Sequence, residues 1–173
     1  SVVCVDRKGD GEYGVYVANY GGPTRFYEIE DELIKDKAQS LNLDNITGGR
    51  AVVSGHILSD RADIFAANER GANFLYKNNN GNFEDVAFDY RVDDAIQNGR
   101  GTALSDIYYR GRLDILSGNW LGYHRAWVLE NNEFKDIGNK DFDKPSRIRT
   151  IISADFDNDG FDEVFMNNIA CLL

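Results

Sequence analysis

Residues 152–168 read ISADFDNDGFDEVFMNN, and Asp155, Asp157, Asp159, Asp162 and Glu163 fall within nine residues around Gly160. Carboxylates at this density repel one another unless a counter-charge offsets them. The alternation D-x-D-x-D-G sets oxygen ligands along a loop that glycine turns sharply, an arrangement suited to wrapping a hard cation. An EF-hand is excluded: its twelfth position needs a bidentate glutamate and is Met166 here, and its flanks would have to be helical. Glu163, at the ninth position, is expected instead to complete a shell with Asp155, Asp157 and Asp159. A backbone carbonyl near Phe161 would add an oxygen, and Asp162 would face solvent. Calcium suits several carboxylates on one flexible loop better than magnesium does, and no Cys or His stands nearby to favour zinc. The plainer alternative is an acidic turn capped by its own backbone amides.

Such a loop needs rigid elements to hold it, and the chain supplies them at a regular period. Four apolar runs end in Asn19, Asn68, Asn119 and Asn168, at spacings of 49, 51 and 49 residues. Asp36, Asp85 and Asp136 repeat at 49 and 51, and Arg50, Arg100 and Arg149 at 50 and 49. Within each unit, alternation with a period near two and an abundance of Val, Ile, Phe, Tyr and Trp identify strands. In the second unit these are expected near 50–57, 63–69, 72–78 and 83–87, with a turn in KNNNGN. DELIKDKAQSLNL in the first unit leaves room for a helical turn, and Pro23 and Pro145 are placed in loops.

Four short strands in about fifty residues suggest an all-β fold, a β-propeller of four-stranded blades. A β-sandwich would leave three markers in register unexplained. Units at 1–48, 49–98, 99–148 and 149–173 make the whole chain a partial propeller of about three and a half blades. Closure takes at least about four, so the remaining blades, about seven in all, are expected from further sequence or from another chain.

On this register the acidic stretch joins the first and second strands of the fourth unit. Its counterparts are degenerate. The first keeps Asp6, Asp10 and Gly11 but has Lys8 and Gly14 at the third and ninth positions. The third keeps Asp106, Gly111 and Asp114, with Arg110 where a ligand would stand; a guanidinium there could supply internally the charge a cation supplies elsewhere. The second is one residue shorter, retains only Asp63, and is not expected to hold metal.

Composition narrows the classes of function. With 42% hydrophobic residues, 173 residues can bury a core. A net charge of −10 without a long basic run argues against nucleic acid and anionic membranes. No apolar run approaches the roughly 20 residues of a membrane-spanning helix. Ser1 opens directly into an apolar stretch, and the expectation is a removed targeting segment or a piece of a longer chain. Cys4 and Cys171 could pair with each other, with cysteines elsewhere or with nothing. Asn45-Ile46-Thr47 fits a glycosylation acceptor, consistent with secretion.

His56 and His124 stand alone among strand residues with no nucleophile motif beside them and read as structural. The periodic arginines would form an arc, either an anion-binding ring or, as the stronger reading, hydrogen bonds between neighbouring units. Trp120 and Tyr123 are candidates for a partner-binding surface, whereas Trp127 lies within strand alternation and reads as core.

The D-x-D-x-D-G loop resembles the FG-GAP/VCBS-type repeats of integrin-α-like propellers. In order and spacing, CVDRKGDGEYGVYVANYGG, GGRAVVSGHILSDRADIFAANERGANFLY, GRGTALSD, SGNW and RTIISADFDNDGFDEVFMNNIA resemble the cartilage acidic protein family across nearly the whole chain. That resemblance implies a secreted, multi-bladed propeller with calcium in some loops, acting through protein contacts. Its ligand residues transfer to Asp155, Asp157, Asp159 and Glu163. The expected function is therefore a non-enzymatic extracellular scaffold with a structural calcium loop, whose face binds a protein or a glycan. The alternative is a propeller domain of, or accessory to, a secreted carbohydrate-active or hydrolytic enzyme.

Overall fold

The computed structural model describes residues 1–169, so any pairing that involves Cys171 lies outside the described residues. Fifteen strands run through the chain in order. They are β1 (Val2–Val5), β2 (Gly14–Val17), β3 (Tyr20–Pro23), β4 (Arg25–Glu30) and β5 (Leu33–Asp36); β6 (Ile46–Gly55), β7 (Asp63–Asn68), β8 (Phe74–Asn79) and β9 (Asn82–Asp85). β10 (Gly99–Ser105), β11 (Asp114–Asn119), β12 (Arg125–Glu130), β13 (Glu133–Asp136), β14 (Ile148–Ala154) and β15 (Glu163–Asn168) complete the series. Among the described residues there is no α-helix; one 3₁₀ turn, Gln39–Leu41, occupies the stretch that leaves room for a helical turn.

The strands form antiparallel up-and-down sheets in the orders β1-β2-β4-β5, β3-β6-β7-β8-β9, β10-β11-β12-β13 and β14-β15. The second-unit strands fall where alternation places them, except that β6 begins earlier, at Ile46. The short β3 has no counterpart in the alternation pattern. It leaves the first unit to pair with β6 of the next sheet, Tyr20 opposite Gly48 and Pro23 opposite Ile46. Pro23 thus ends a strand and does not lie in a loop; a proline is tolerated there because β3 is an edge strand that need not donate at every position.

Three cores lie between successive sheets. Val5, Tyr16, Phe26, Leu43, Ile64 and Tyr76 form the first. Ile57, Phe65, Leu75, Val92, Ile115 and Trp127 form the second, and Ala103, Leu116, Ile148 and Ile151 the third. Adjacent residues of one strand feed opposite cores, Ile64 and Phe65 on β7, Ile115 and Leu116 on β11. Both strands are therefore buried on both faces along their whole length, which is why neither DIFAAN nor DILSGN alternates apolar residues with exposed polar ones. Close approach of the sheets depends on glycine. A Cβ on Gly99 would meet Ala67 Cβ at 2.9 Å, and one on Gly101 would meet the backbone of Thr150 and Ile151 at 2.9 Å.

The periodic markers are turn-closing groups. Asp36 Oδ1 accepts from the N–H of Phe26 and Ala38, Asp85 Oδ1 from Leu75 and Ala87, and Asp136 Oδ1 from Ala126 and Gly138. Each aspartate therefore closes the end of a hairpin and the first turn beyond it. Three of the four repeat asparagines donate Nδ2 to the carbonyl four residues on, Asn19 to Pro23, Asn68 to Ala72 and Asn119 to Tyr123. One residue further, an acceptor side chain takes the asparagine's own N–H: Asn73 Oδ1 at 3.0 Å in the second sheet and His124 Nδ1 at 3.0 Å in the third.

His124 is buried, and burial holds its pKa below the ordinary imidazole value. Unfolding lets it take up a proton, so wild-type stability should fall as pH drops below about 6.5. His124→Asn keeps the acceptor in the form its counterpart Asn73 uses. We expect it to be less stable at pH 8, through lost ring packing, and the gap in urea midpoint to narrow on acidification through that window.

Candidate metal centre

Four loops lie at one end of the strands, joining β1 to β2, β6 to β7, β10 to β11 and β14 to β15, and three share one backbone template. Left-handed residues stand at the fourth and sixth positions in each: Gly9 and Gly11, Tyr109 and Gly111, Asn158 and Gly160. The opening aspartate draws the turn closed. Asp6 accepts from the N–H of Gly9, Asp10 and Gly11; Asp106 from Arg110 and Gly111; Asp155 from Asp159 at 3.1 Å and Gly160 at 2.9 Å. The amide hydrogen bond from Gly11 is the leading cause that holds Asp6 below the usual carboxylate range.

Beyond this shared turn the loops diverge. In 155–163, carboxylate oxygens of Asp155, Asp157 and Asp159 lie within 4.8 Å of one another, with Asp157 and Asp159 exposed. Their retained contacts are all to loop amides: Asp157 Oδ1 accepts from Asp159 N–H and Asp159 Oδ1 from Phe161 N–H. The group is all oxygen, converges from one short loop and has no cationic side chain in it, which fits a hard divalent ion. Glu163 is not one of the converging carboxylates; its Oε2 accepts from Phe156 N–H at 2.9 Å. Asp162 is exposed, but it does not simply face solvent. Its Oδ2 accepts from Ser105 Oγ of the third sheet at 2.8 Å and from Ser153 Oγ at 3.2 Å.

The second and third loops satisfy their closing carboxylate internally, and the first does not hold converging acids. In 106–114, Arg110 Nη2 donates to Asp114 Oδ1 at 2.8 Å and Nη1 to the Leu129 carbonyl. Asp114 is fully buried, and burial raises its pKa despite the guanidinium. In the shorter second loop Asp63 is also fully buried and takes N–H groups from Ile57, Leu58, Ser59 and Asn78, together with the Ser59 hydroxyl. Those donors satisfy the carboxylate. In the first loop Asp10 accepts only from Glu12 N–H, while Arg7 forks to Glu28 and donates to the Gly81 carbonyl of the next sheet.

Two contacts tie the third and fourth loops together: Asp162 with Ser105, and Tyr109 against Phe161, with ring centroids 4.9 Å apart. Spacing does not reveal them, because they join residues about fifty positions apart whose orientation depends on how the sheets pack. Glu69 is not one of the periodic markers. It ion-pairs with both Arg50 (2.5 Å) and Arg100 (2.8 Å), so those two arginines do not form an open ring. The two arginines together outweigh burial and hold Glu69 below the usual range.

Among the remaining candidates, Trp127 is buried as expected, Trp120 is half-buried and Tyr123 is exposed. Asn45 is exposed, and its Nδ2 donates to Tyr76 Oη. His56 is exposed. His124 Nε2 lies 2.9 Å from Ser146 Oγ, a serine–histidine pair, but its Nδ1 accepts the Asn119 amide, so Nε2 carries the proton. The imidazole therefore donates to the serine and cannot act as its base.

Residues 106–166 match the family model described as an FG-GAP-like repeat. The chain is similar to the cartilage acidic proteins along nearly all of its length, as its motifs imply. Over 98% of the chain it is 44% identical to cartilage acidic protein 1 of Xenopus tropicalis, and to the same extent to those of Homo sapiens and Mus musculus. It spans 29% of the length of each of these relatives. No helix among the described residues is long and apolar enough to cross a membrane.

Arg110→Ala would leave Asp114 buried and unpaired at neutral pH. We expect a loss of about 3 kcal/mol in urea unfolding at pH 7. Because Asp114 is raised in the folded state, it holds its proton there at a pH at which the unfolded chain has released it, so the deficit should shrink as pH falls toward 4.

Proposed function

We propose that these residues are about three and a half blades, units 1–48, 49–98, 99–148 and 149–173, of a larger secreted β-propeller of about seven blades. In this reading the protein is an extracellular matrix scaffold that binds a protein or glycan partner without catalysis, and loop 155–163 holds calcium. Support for the propeller comes from the repeated up-and-down sheets and from apolar side chains left exposed on the first and last of them. Ile29, Leu33 and Ile34 are 72%, 62% and 75% exposed, and Phe165 is 56% exposed. The relatives' greater length could supply further blades to cover them. Secretion is supported by the likeness to the cartilage acidic proteins and by the acceptor triplet at Asn45. The serine–histidine tautomer speaks against the hydrolase alternative.

The observation that carries the calcium reading is the convergence of Asp155, Asp157 and Asp159 in the one loop of the four that contains no basic residue. Those three residues would hold the ion. Glu163 would join them on release from Phe156 N–H. The role is structural, a clamp on one loop. Sites of this kind in extracellular modules bind at about 10⁻⁴ to 10⁻³ M. At free calcium roughly tenfold above that constant, linkage gives about 1.4 kcal/mol of stabilisation.

Thermal melts of the intact protein with calcium and with chelator test this. A higher melting temperature with calcium is expected, largely abolished by Asp157→Ala. Lys8→Asp should not add a second calcium-dependent gain, because Gly14 still supplies no carboxylate. Equal melting temperatures in both conditions would leave the loop as an acidic turn.

A further inference from the structure

The three arginines of the fifty-residue period are not equivalent. Each is paired in the repeat with two residues that come directly after a repeat asparagine, one from the preceding unit and one from its own; in order these are Tyr20, Glu69, Trp120 and Ile169. Arg50 has its guanidinium carbon 4.0 Å from the Tyr20 ring centre and its Nε on Glu69. Arg100 pairs with Glu69 and lies 4.8 Å from the Trp120 ring centre. Arg149 lies 5.0 Å from that same ring, and the corresponding residue on its own sheet is Ile169, which has no charge to offer. Arg149 is exposed and has no ion-pair partner among the described residues. The residue sits near the start of β14, at the far end of the strands from the acidic loops.

We propose that Arg149, stacked on Trp120, is a docking point for a side-chain carboxylate of another polypeptide segment. The carboxylate would take the place that Glu69 fills for Arg50 and Arg100. The physical basis is the geometry of the guanidinium. Held over an indole and free of side-chain hydrogen bonds among the described residues, it keeps its N–H groups open, a fork that can bind a carboxylate through two parallel hydrogen bonds. Contact with the ring before binding lowers the ordering cost. Sulfate would fit the same fork, but both sibling arginines in the same structural frame are satisfied by a glutamate. The chain's net charge of −10 repels polyanions at long range, so an acidic ligand that binds must be held by local contacts.

The test uses the intact protein in calcium and a fluorescein-labelled, end-capped peptide of consecutive glutamates, with anisotropy read at low ionic strength. Saturable binding is expected, weakened about tenfold or more by Arg149→Gln. Arg149→Lys should recover only part of the loss, since it keeps the charge without the fork. Arg147→Gln, which removes an exposed charge two residues away, should leave the affinity unchanged. A melting temperature for the Arg149→Gln variant close to wild type excludes unfolding as the cause. A sulfated heparin-derived oligosaccharide is the second probe. Absence of saturable peptide binding, equal affinity in the Arg149→Gln variant, or Arg149-dependent binding of the oligosaccharide alone would overturn the assignment.

Discussion

Backbone amides at the tip of a loop must be satisfied, and here a carboxylate does it from within. Asp6, Asp106 and Asp155 each turn back a chain whose fourth and sixth residues are left-handed. In the shorter second loop, which lacks that opening aspartate, Asp63 collects the amides from the closing position. This requirement fixes one carboxylate per loop. Further acidic residues add charge that the fold must offset, and the loops differ in how they do so. Asp114 is offset by Arg110, and Asp63 is surrounded by donors. The three converging aspartates of the fourth loop have amides and solvent only, which is the physical ground for the calcium reading.

The loops are held at a common level because the strands beneath them are packed from both sides. β7 and β11 contribute alternate side chains to two different cores, and the first strands approach at glycines where a Cβ would strike the neighbouring backbone. Aspartate-closed hairpins and asparagine-closed turns then fix the opposite ends. Coupling between loops is a consequence of this packing. Ser105 and Tyr109 of the third sheet reach Asp162 and Phe161 of the fourth, so ordering of one loop would be felt by its neighbour.

Much of this fold is legible in the sequence because it repeats. The asparagine, aspartate and arginine periods mark positions with one local geometry, and local geometry is what residue type encodes. The convergence of Asp155, Asp157 and Asp159 is legible for the same reason, since alternation along a tight turn sets their spacing. The direction of Glu163 is not: it stands on β15, and whether it turns toward the loop or accepts the Phe156 amide depends on the rotamer. β3 and the Asp162–Ser105 contact are hidden because their partners belong to another unit. Comparing the residues after each asparagine would have singled out Glu69 as the one acid in an otherwise aromatic and aliphatic series.

The decisive contrast is between four loops that occupy equivalent places in the repeat and carry unequal charge. Titrating calcium into the ¹⁵N-labelled intact protein, and tracking backbone amide shifts, reads all four at once. Saturable shifts should be concentrated in 155–163, with smaller ones at Ser105 and Tyr109 and none in 6–14 or 56–63. Unshifted amides in 155–163, or shifts of equal size in 6–14, would contradict calcium binding by the fourth loop alone.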